Sequence, residues 1–455
     1  MNRVASRALI VLVLVLGLLG GTVFFVVDFA MHGDEWVMKP GSPHVYENNR
    51  VDRGVVTDAN GTLILSLVND RVYSSDARIR RSTMHWVGDR AGYVSSAILS
   101  HYAADLVGYD VVGGTYQYAD ADGHMTMTLD ARLQAAALEA MGEYSGTVAI
   151  YNYQTGQILC AVTTPTFDPD NAPQITEENE SRYEGVYVNR FLMSAYTPGS
   201  IFKIVTLAAA LECLPDAQQL SFTCTGVSDY GVDKVTCERA HGTQTLKEAF
   251  CNSCNCAFGE LTLRIGKENM ADYIQKFRLL EQVSFDGVSS AKGNYDVADA
   301  AQVQLAWSGI GQYTDLINPC AFLRFVGAIG NGGVAVDPYV VENIKVGKST
   351  TYQAFSAAGE RILSETTAAL LREYMANNVT AKYGAQNFPG LSVCAKSGTG
   401  EVGKDKRPNA MFTGFVTDEA LPVAFIACVE NGGYGASVCI PVLKPVLEAC
   451  RSLYD

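Results

Sequence analysis

The sequence has no excess of basic residues. Its 34 Lys and Arg residues are outnumbered by 48 Asp and Glu residues, which gives a formal net charge of −14 at pH 7. A nucleic-acid-binding protein needs a basic surface, and a peripheral hold on anionic lipid needs a basic patch. The composition therefore argues against both kinds of partner.

The sequence also lacks internal repeats and a disordered composition. Its 42 glycines fall in short turn-like clusters without a fixed period, so no fibrous or repeat architecture is indicated. With 48% hydrophobic and 18% charged residues, the composition is that of a globular protein. A chain of 455 residues exceeds what one hydrophobic core usually supports, so two or more domains are expected.

Near the N-terminus, an uncharged run of 20 residues extends from Ala8 to Val27. As a helix it would be about 30 Å long, enough to cross a bilayer. Arg3 and Arg7 precede the run, and Asp28 follows it directly. Because positive residues favour the cytoplasmic side, we predict a cytoplasmic tail at 1–7, a single-pass anchor at 8–27 and an extracellular remainder.

A cleaved signal peptide is the alternative for this run. A cleavage site needs small neutral residues before the cut. The nearest candidate, Asp28-Phe29-Ala30, places a charge there, and no lipobox cysteine follows. These features favour the uncleaved anchor.

Beyond the anchor, the patterns predict two modules, at 28–128 and 129–455. In the first, apolar runs flank Asn60-Gly61, a strong hairpin signal, and a helix is expected near Ser95–Leu106. Asp130 is the expected N-cap of a helix at the start of the second. Strands are expected at 146–151, 156–162, 391–396, 410–416 and 422–429, with helices across 201–310 and an amphipathic stretch at 442–453. This is an α+β pattern whose antiparallel sheet draws strands from both ends of the module.

Twelve cysteines are present, and outside the membrane they could be paired. Cys224 and Cys237 flank a Gly/Asp turn, which is compatible with a disulfide bridge. Cys251, Cys254 and Cys256 are too tightly spaced for one ordinary zinc half-site, so we interpret them as buried thiols. No metal ion or cofactor is predicted.

Three short motifs carry the predicted chemistry. The first is Ser200-Ile201-Phe202-Lys203, which follows Pro198-Gly199 and begins a good helix-forming run. Residues three apart share a helix face, so Lys203 can point at the Ser200 hydroxyl. A buried lysine has a lowered pKa and can take the proton of a serine nucleophile.

A lone S-x-x-K pattern is weak evidence. Ser289-Ser290-Ala291-Lys292 matches it too, although it lies in a Gly/Ser/Asp-rich segment with no helix behind it. The first motif therefore needs partners elsewhere in the chain.

Those partners are Ser253-Cys254-Asn255 and Lys396-Ser397-Gly398-Thr399. Ser253 could relay a proton, and Asn255 could hold a substrate amide and a lysine ammonium. Gly398 lets a substrate pair edge-on with a strand, Lys396 supplies positive charge for a terminal carboxylate, and Ser397 and Thr399 add hydroxyl donors. The backbone N–H groups of Ser200 and Thr399 would form an oxyanion hole.

Together and in this order, the motifs match the combined signature S-x-x-K, S-x-N and K-[ST]-G. The chain resembles the class B penicillin-binding proteins, which are monofunctional peptidoglycan D,D-transpeptidases, in their compact Gram-positive form. The resemblance covers nearly the whole chain through these segments: Arg53-Gly54, Asp58-Ala59-Asn60-Gly61, Thr128-Leu129-Asp130, Leu133-Gln134, Phe167-Asp168-Pro169, Asn189-Arg190, His241-Gly242, Gly309-Ile310-Gly311-Gln312, Asn331-Gly332-Gly333 and Phe412-Thr413-Gly414-Phe415.

This resemblance implies the penicillin-binding transpeptidase (serine β-lactamase-like) fold. Its five-stranded antiparallel sheet is flanked by helices and follows a small pedestal. Ser200 would attack the D-Ala-D-Ala bond of a peptidoglycan stem peptide, release D-Ala and pass the acyl group to an amine of a neighbouring stem. β-Lactam antibiotics would acylate the same serine, and a membrane-embedded glycan polymerase is the implied partner.

Two departures from the family pattern and two alternative functions remain. The pedestal is short, and Met411 stands where the family often has a tryptophan, which could alter the wall of the cleft. A β-lactamase would need a carboxylate that activates water, and no E-x-x-L-N-like segment follows Ser253. A non-catalytic, β-lactam-binding scaffold of the wall machinery is harder to exclude.

Overall fold

The computed structural model describes residues 2–37, 53–68, 70–94, 97–107, 122–231, 233–355, 359–403 and 405–454, and the short strands 46–47, 50–51, 109–110 and 115–116. Its α-helices are Asn2–Val37, Ala77–Val87, Ala97–His101, Ala103–Val107, Ala131–Met141, Arg190–Met193, Lys203–Cys213, Leu246–Cys251, Asn255–Ile265, Lys267–Lys276, Gln302–Ser308, Pro319–Gly330, Glu365–Asn378 and Gly435–Tyr454. The helix expected near Ser95–Leu106 is present as two short helices, while Ser95 itself lies outside the described residues.

The N-terminal helix carries the predicted anchor. Residues Val4–Gly33 form a segment long and apolar enough to cross a membrane, and none of its most apolar 18-residue window is buried against the protein. The predicted span 8–27 lies inside this segment. The helix is therefore a possible membrane anchor, because its apolar side chains have no protein surface to cover them.

A five-stranded antiparallel sheet organises the C-terminal two thirds of the chain. In spatial order its strands are Ile158–Thr164, Gly146–Asn152, Val423–Val429, Asn409–Val416 and Val393–Gly400. The five strands expected from the sequence are all present, within a few residues of the predicted bounds. The sheet thus combines two early strands with three late ones, as predicted.

Both faces of this sheet are covered by helices. Val148 and Ile150 pack with the helices Ala131–Met141 and Gly435–Tyr454, whereas Ala149 and Tyr151 belong to the core that includes Pro319–Gly330. Successive side chains of a strand point to opposite faces, so this alternation buries every residue of Gly146–Asn152. The penicillin-binding transpeptidase fold expected from the sequence is confirmed at this level.

The region between the two outer parts of the sheet is less helical than predicted. Within 201–310, Ser221–Cys224 pairs with Gly242–Thr245, and Val227–Asp229 pairs with Lys234–Thr236. Gly231 has a φ of 91° in the turn that closes the inner hairpin, a conformation that glycine adopts without strain. This hairpin pair lies between two helices that carry the first two motifs.

A second, six-stranded sheet joins distant parts of the sequence. Its order is Ser349–Gln353, Val341–Val346, Gly123–Met127, Val55–Thr57, Leu63–Ser66 and Val72–Tyr73. The hairpin predicted around Asn60-Gly61 supplies two of these strands. The hairpin at 341–353 comes from the other predicted module, so the sheet is shared across the division at 128/129, which itself remains a prediction.

The two segments on either side of this division contact one another through buried polar groups. The Asp58 carboxylate is fully buried and accepts hydrogen bonds from the backbone N–H groups of Asn60, Thr62 and Ala131 at 2.9, 2.7 and 3.0 Å. The Asn60 amide donates to the Asp130 carboxylate at 2.7 Å. Asp130 also caps the helix Ala131–Met141, as predicted.

Asp286 provides a second link at the six-stranded sheet. Its buried carboxylate accepts hydrogen bonds from the Tyr102 hydroxyl and from the backbone N–H groups of Val340 and Val341, the last two at 2.6 and 3.0 Å. Tyr102 belongs to the N-terminal region, whereas Val341 begins the shared hairpin strand. One carboxylate therefore satisfies three buried donors from two distant segments.

We predict that Asp286→Ala destabilises the protein by about 2–4 kcal/mol, since it leaves three buried donors without an acceptor. Thermal unfolding of the detergent-solubilised chain measures this effect. Asp299→Ala is the control, because Asp299 is exposed and a surface substitution of this kind changes stability by less than about 0.5 kcal/mol. Equal unfolding midpoints for the two variants would contradict the linking role of Asp286.

Candidate active site

Ser200 lies in a tight turn at the start of a buried helix. The turn Gly199–Phe202 is a 3-10 helix, and it continues directly into the α-helix Lys203–Cys213. The helix start predicted behind Pro198-Gly199 is confirmed, although its first turn is tighter than an α-helix. Ser200 is partly exposed, whereas Lys203 is fully buried.

The Ser200 turn packs on the backbone of the strand Val393–Gly400. Gly199 has a φ of 53°, and a Cβ added there would come within 2.2 Å of the Thr399 carbonyl oxygen. A Cβ added at Gly398 would approach the Pro198 carbonyl oxygen to 2.7 Å. Glycine at both positions is what permits the first and third motifs to lie side by side.

Lys203 is the centre of the hydrogen-bond network. Its Nζ lies 3.1 Å from Ser200 Oγ, 3.2 Å from Ser253 Oγ, 2.6 Å from the Ser253 carbonyl oxygen and 2.7 Å from Asn255 Oδ1. Burial lowers the pKa of Lys203 to about 8, because a desolvated ammonium loses its hydration. The amine is therefore poised to gain or lose a proton near neutral pH.

The second motif bridges two helices, as predicted. Ser253 lies between Leu246–Cys251 and Asn255–Ile265 and adopts a φ of 53°, which is strained for a residue with a side chain. The N-cap of the second helix is Cys254, whose Sγ accepts from the Ala257 N–H. Asn255 is therefore free of capping and points its amide oxygen at Lys203.

Lys396 lies beside the same serine and is also buried. Its Nζ lies 3.1 Å from Ser253 Oγ and donates to the Ser397 carbonyl oxygen at 2.9 Å. Burial, followed by the charge of Lys203, lowers the pKa of Lys396 well below its usual range. This environment opposes the fixed, exposed positive charge that we expected, so a direct contact with a substrate carboxylate stays a prediction.

The rest of the third motif lies on the strand rather than after it. Val393–Gly400 pairs along its length with Asn409–Val416, and its Ser397, Gly398 and Thr399 line an open cleft of about 460 Å³ together with Ser200, Ser253 and Asn255. The structure thus brings all the sequence-predicted site residues together. Lys203 and Lys396 lie behind the cleft and are reached through the serines.

Tyr383 is a site residue that sequence reasoning missed. Its hydroxyl accepts a hydrogen bond from the Ser397 N–H at 2.9 Å and lies 3.0 Å from Ser397 Oγ. Burial raises the pKa of Tyr383 to about 12, so the hydroxyl keeps its proton at neutral pH. It lies on the π-helical turn Val379–Tyr383, and a lone tyrosine 13 residues before Lys396 carries no motif.

Met411 does not form the cleft wall in the way that we expected. Its side chain is fully buried in the core, opposite Gly398 in the strand register. It is not among the described residues that line the cleft. Strand alternation explains this, because the residue facing the core at this position cannot also face the cleft.

The disulfide compatible with the sequence is not formed, since all twelve cysteines are free thiols. Cys237 Sγ instead lies 3.6 Å from Cys254 Sγ, and Cys224 Sγ lies 3.5 Å from His241 Nδ1. Cys254 and Cys256 are buried, as predicted, while Cys251 is partly exposed. Cys237 and His241 also line the cleft.

Comparison with protein families gives a match to the penicillin binding protein transpeptidase domain over residues 146–448. Among curated proteins, the chain is 31% identical over 363 residues to the peptidoglycan D,D-transpeptidase PbpA of Mycolicibacterium smegmatis, covering 72% of each chain. It is 28% identical over 347 residues to the stage V sporulation protein D of Bacillus subtilis, covering 71% of this chain and 53% of that protein.

Solved structures agree with the sequence relatives. The ceftriaxone acyl-enzyme of penicillin-binding protein A from M. tuberculosis superimposes with a TM-score of 0.77 at 25% identity, covering 88% of this chain and 98% of that one. The D,D-transpeptidase domain from Eggerthella lenta superimposes with a TM-score of 0.75 at 24% identity, covering 88% and 99%. The matching segment contains all three motifs and both halves of the five-stranded sheet, and the chain belongs to the penicillin-binding protein transpeptidase family as a class B member.

Proposed function

We propose that this protein is a peptidoglycan D,D-transpeptidase in which Ser200 is the nucleophile and Lys203 its base. One observation carries the proposal: the desolvated Lys203 amine lies 3.1 Å from Ser200 Oγ. Two carbonyl oxygens, of Ser253 and the Asn255 side chain, take up its N–H donors at 2.6 and 2.7 Å. A neutral amine has two N–H groups and one lone pair, so the lone pair is left for the Ser200 proton.

Acylation then follows from the positions of these groups. Ser200 Oγ attacks the carbonyl carbon of the D-Ala-D-Ala peptide bond while Lys203 Nζ takes its proton. The oxyanion that forms would be held by the backbone N–H groups of Ser200 and Thr399. As the C–N bond breaks, the proton passes to the leaving D-Ala amine, and an ester with Ser200 remains.

Ser253 is positioned to relay that proton. Its hydroxyl lies between the two lysine amines, 3.2 Å from Lys203 Nζ and 3.1 Å from Lys396 Nζ. Lys396 would act through this hydroxyl rather than on substrate directly. Ser397 and Thr399, which line the cleft, would bind the substrate's terminal carboxylate with their hydroxyls.

In the second half of the reaction, an amine of a neighbouring stem peptide attacks the ester and regenerates Ser200. A β-lactam forms the same ester bond without a fast second step, as in the acyl-enzyme of the M. tuberculosis relative. The N-terminal helix would hold the catalytic region on the outer side of the membrane, with residues 1–7 in the cytoplasm. A membrane-embedded glycan polymerase, which supplies uncross-linked strands, is the partner that this location suits.

We predict that Ser200→Ala abolishes labelling by fluorescent penicillin and the matching mass increase in intact-mass analysis. The control is Ser289→Ala, which removes the exposed serine of the second S-x-x-K match and should leave labelling unchanged. Residual labelling of Ser200→Ala would identify a different nucleophile. Sustained hydrolysis of a chromogenic cephalosporin by the wild type would instead favour a β-lactamase.

The rate of acylation should rise with pH and level off above about 8, because burial lowers the Lys203 pKa to about 8 and the neutral amine is the active form. Below that pH the rate should fall about tenfold per unit as the ammonium forms. Stopped-flow measurement with a fluorescent β-lactam gives this profile.

Lys203→Arg should lose at least about 100-fold in acylation rate at every pH, because a guanidinium cannot accept the proton. Lys292→Arg, in the exposed second match, should behave as wild type. A flat wild-type profile between pH 6 and 9 would show that Lys203 is not the base.

Tyr383→Phe should weaken acylation about tenfold through a higher half-saturating β-lactam concentration, with a smaller effect on the limiting rate. The reason is that the Ser397 N–H loses its acceptor and the Ser397 hydroxyl loses its partner. Tyr434→Phe is the control, because its exposed hydroxyl lies at the rim of the same cleft. An unchanged half-saturating concentration in Tyr383→Phe would remove the positioning role.

A further inference from the structure

Four metal-binding side chains converge next to the Ser253 motif. Cys224, Cys237, His241 and Cys254 each offer one ligand atom, and these atoms all lie within 4.8 Å of one another. They come from the two-layered hairpin at 221–245 and from the N-cap of the helix Asn255–Ile265. We refer to these four residues as the Cys3His cluster.

The distances within the cluster fit tetrahedral coordination. With Zn–S bonds of about 2.3 Å and Zn–N bonds of about 2.05 Å, a tetrahedral site separates two sulfurs by about 3.8 Å and a sulfur from a nitrogen by about 3.6 Å. Cys237 Sγ and Cys254 Sγ are 3.6 Å apart, and Cys224 Sγ and His241 Nδ1 are 3.5 Å apart. The cluster therefore has the size of a zinc site without any rearrangement.

Backbone hydrogen bonds support the sulfur atoms as ligands. The N–H groups of Asn255 and Cys256 donate to Cys237 Sγ at 3.0 and 3.3 Å, and the Ala257 N–H donates to Cys254 Sγ at 3.4 Å. Three donors aimed at two sulfurs stabilise negative charge there, which is the form in which cysteine binds a metal. Neutral buried thiols would need no such arrangement.

A disulfide explains the cluster less well. Bonded sulfurs lie about 2.05 Å apart, whereas Cys237 and Cys254 are separated by 3.6 Å. A disulfide would also leave the third cysteine and the imidazole without a reason to point at the same place. Soft thiolates and imidazole in a four-ligand set are the preferred surroundings of a structural zinc ion.

We propose that the Cys3His cluster binds one structural zinc ion and that this ion fixes the Ser253 loop of the active site. Cys254 stands between Ser253 and Asn255, the two residues that contact Lys203. The Asn255 amide also donates to the Thr236 carbonyl oxygen at 2.8 Å, beside the ligand Cys237. The ion would thus hold the hairpin and the helix start together behind the catalytic lysine.

The second part of this proposal rests on the proposed function, whereas zinc binding does not. Ser253 has a positive φ, a strained conformation that persists only where its surroundings impose it. Zinc bound on the next residue would supply that constraint. Loss of the ion should then slow acylation although Ser200 and Lys203 are unchanged.

The first experiment measures zinc in the full-length protein, purified in detergent with a reductant, by elemental mass spectrometry. We expect one zinc per chain in the wild type, in Ser200→Ala and in the control Cys251→Ser, whose thiol lies outside the cluster. Cys224→Ser and Cys254→Ser should retain at most about one fifth of that amount. Zinc-free wild type that takes up no added zinc would overturn the proposal.

Cobalt substitution of the wild type tests the ligands without relying on a variant that folds. Tetrahedral cobalt bound by three thiolates should give an intense thiolate-to-metal charge-transfer band and intense visible bands. Absence of these bands after Co²⁺ is added to the chelator-treated protein would overturn the proposal. So would mass mapping that finds Cys237 and Cys254 joined as a disulfide in the freshly isolated protein.

The link to the active site is tested by removing zinc from the wild type with a chelator and then restoring it. We expect the rate of acylation by fluorescent penicillin to fall at least about tenfold and to recover with zinc. Zinc binding with an unchanged acylation rate would leave the ion structural and overturn its effect on the loop. Zinc binding in a protein that no β-lactam acylates would contradict the proposed function alone.

Discussion

A primary amine placed where water cannot reach it constrains the whole active site. Lys203 is fully buried, and its Nζ must find acceptors inside the protein or lose several kcal/mol of hydration. Ser253 and Asn255 supply them, and both belong to a loop that is otherwise far along the chain. The position of that loop and the reactivity of Ser200 therefore have one physical cause.

The same constraint explains why the backbone around the site is crowded. An amine excluded from water needs a closed surface, and here the Ser200 turn seals against the strand Val393–Gly400 with no room for side chains at Gly199 or Gly398. The glycine of the third motif is thus as much a packing requirement as a means of substrate access. Chemistry and packing place the same residue for different reasons.

Local patterns predicted the parts of the fold that local physics decides. The Asn60-Gly61 turn, the Asp130 cap and the alternating strands of the five-stranded sheet all follow from short-range preferences, and the structure confirms them. The order of the three motifs, combined with a known signature, was enough to predict which serine and lysines would meet. The unused S-x-x-K match at Ser289 lies in a hairpin, where no helix orients its lysine.

What could not be predicted depends on contacts between distant segments. The hairpin at 341–353 joins a sheet whose other strands precede residue 129, and nothing in its own sequence indicates that partner. Tyr383 gains its role only because a π-helical turn brings it to Ser397. In the cysteine cluster, Cys237 and His241 are separated by three residues, an ordinary metal half-site spacing. We passed over it because its other two ligands are 12 residues away on either side.

The shared hairpin also determines how a mechanical load would travel through the molecule. Tyr339, just before it, exchanges backbone hydrogen bonds with Gly156 and Ile158 at 2.9 and 3.0 Å, beside the edge strand of the five-stranded sheet. Two residues later, Val341 enters the six-stranded sheet with the N-terminal strands. Tension between the membrane helix and the wall would thus run along one short, hydrogen-bonded segment rather than through a flexible linker. The catalytic sheet and the tethered end of the protein would respond to such a pull as a single elastic element.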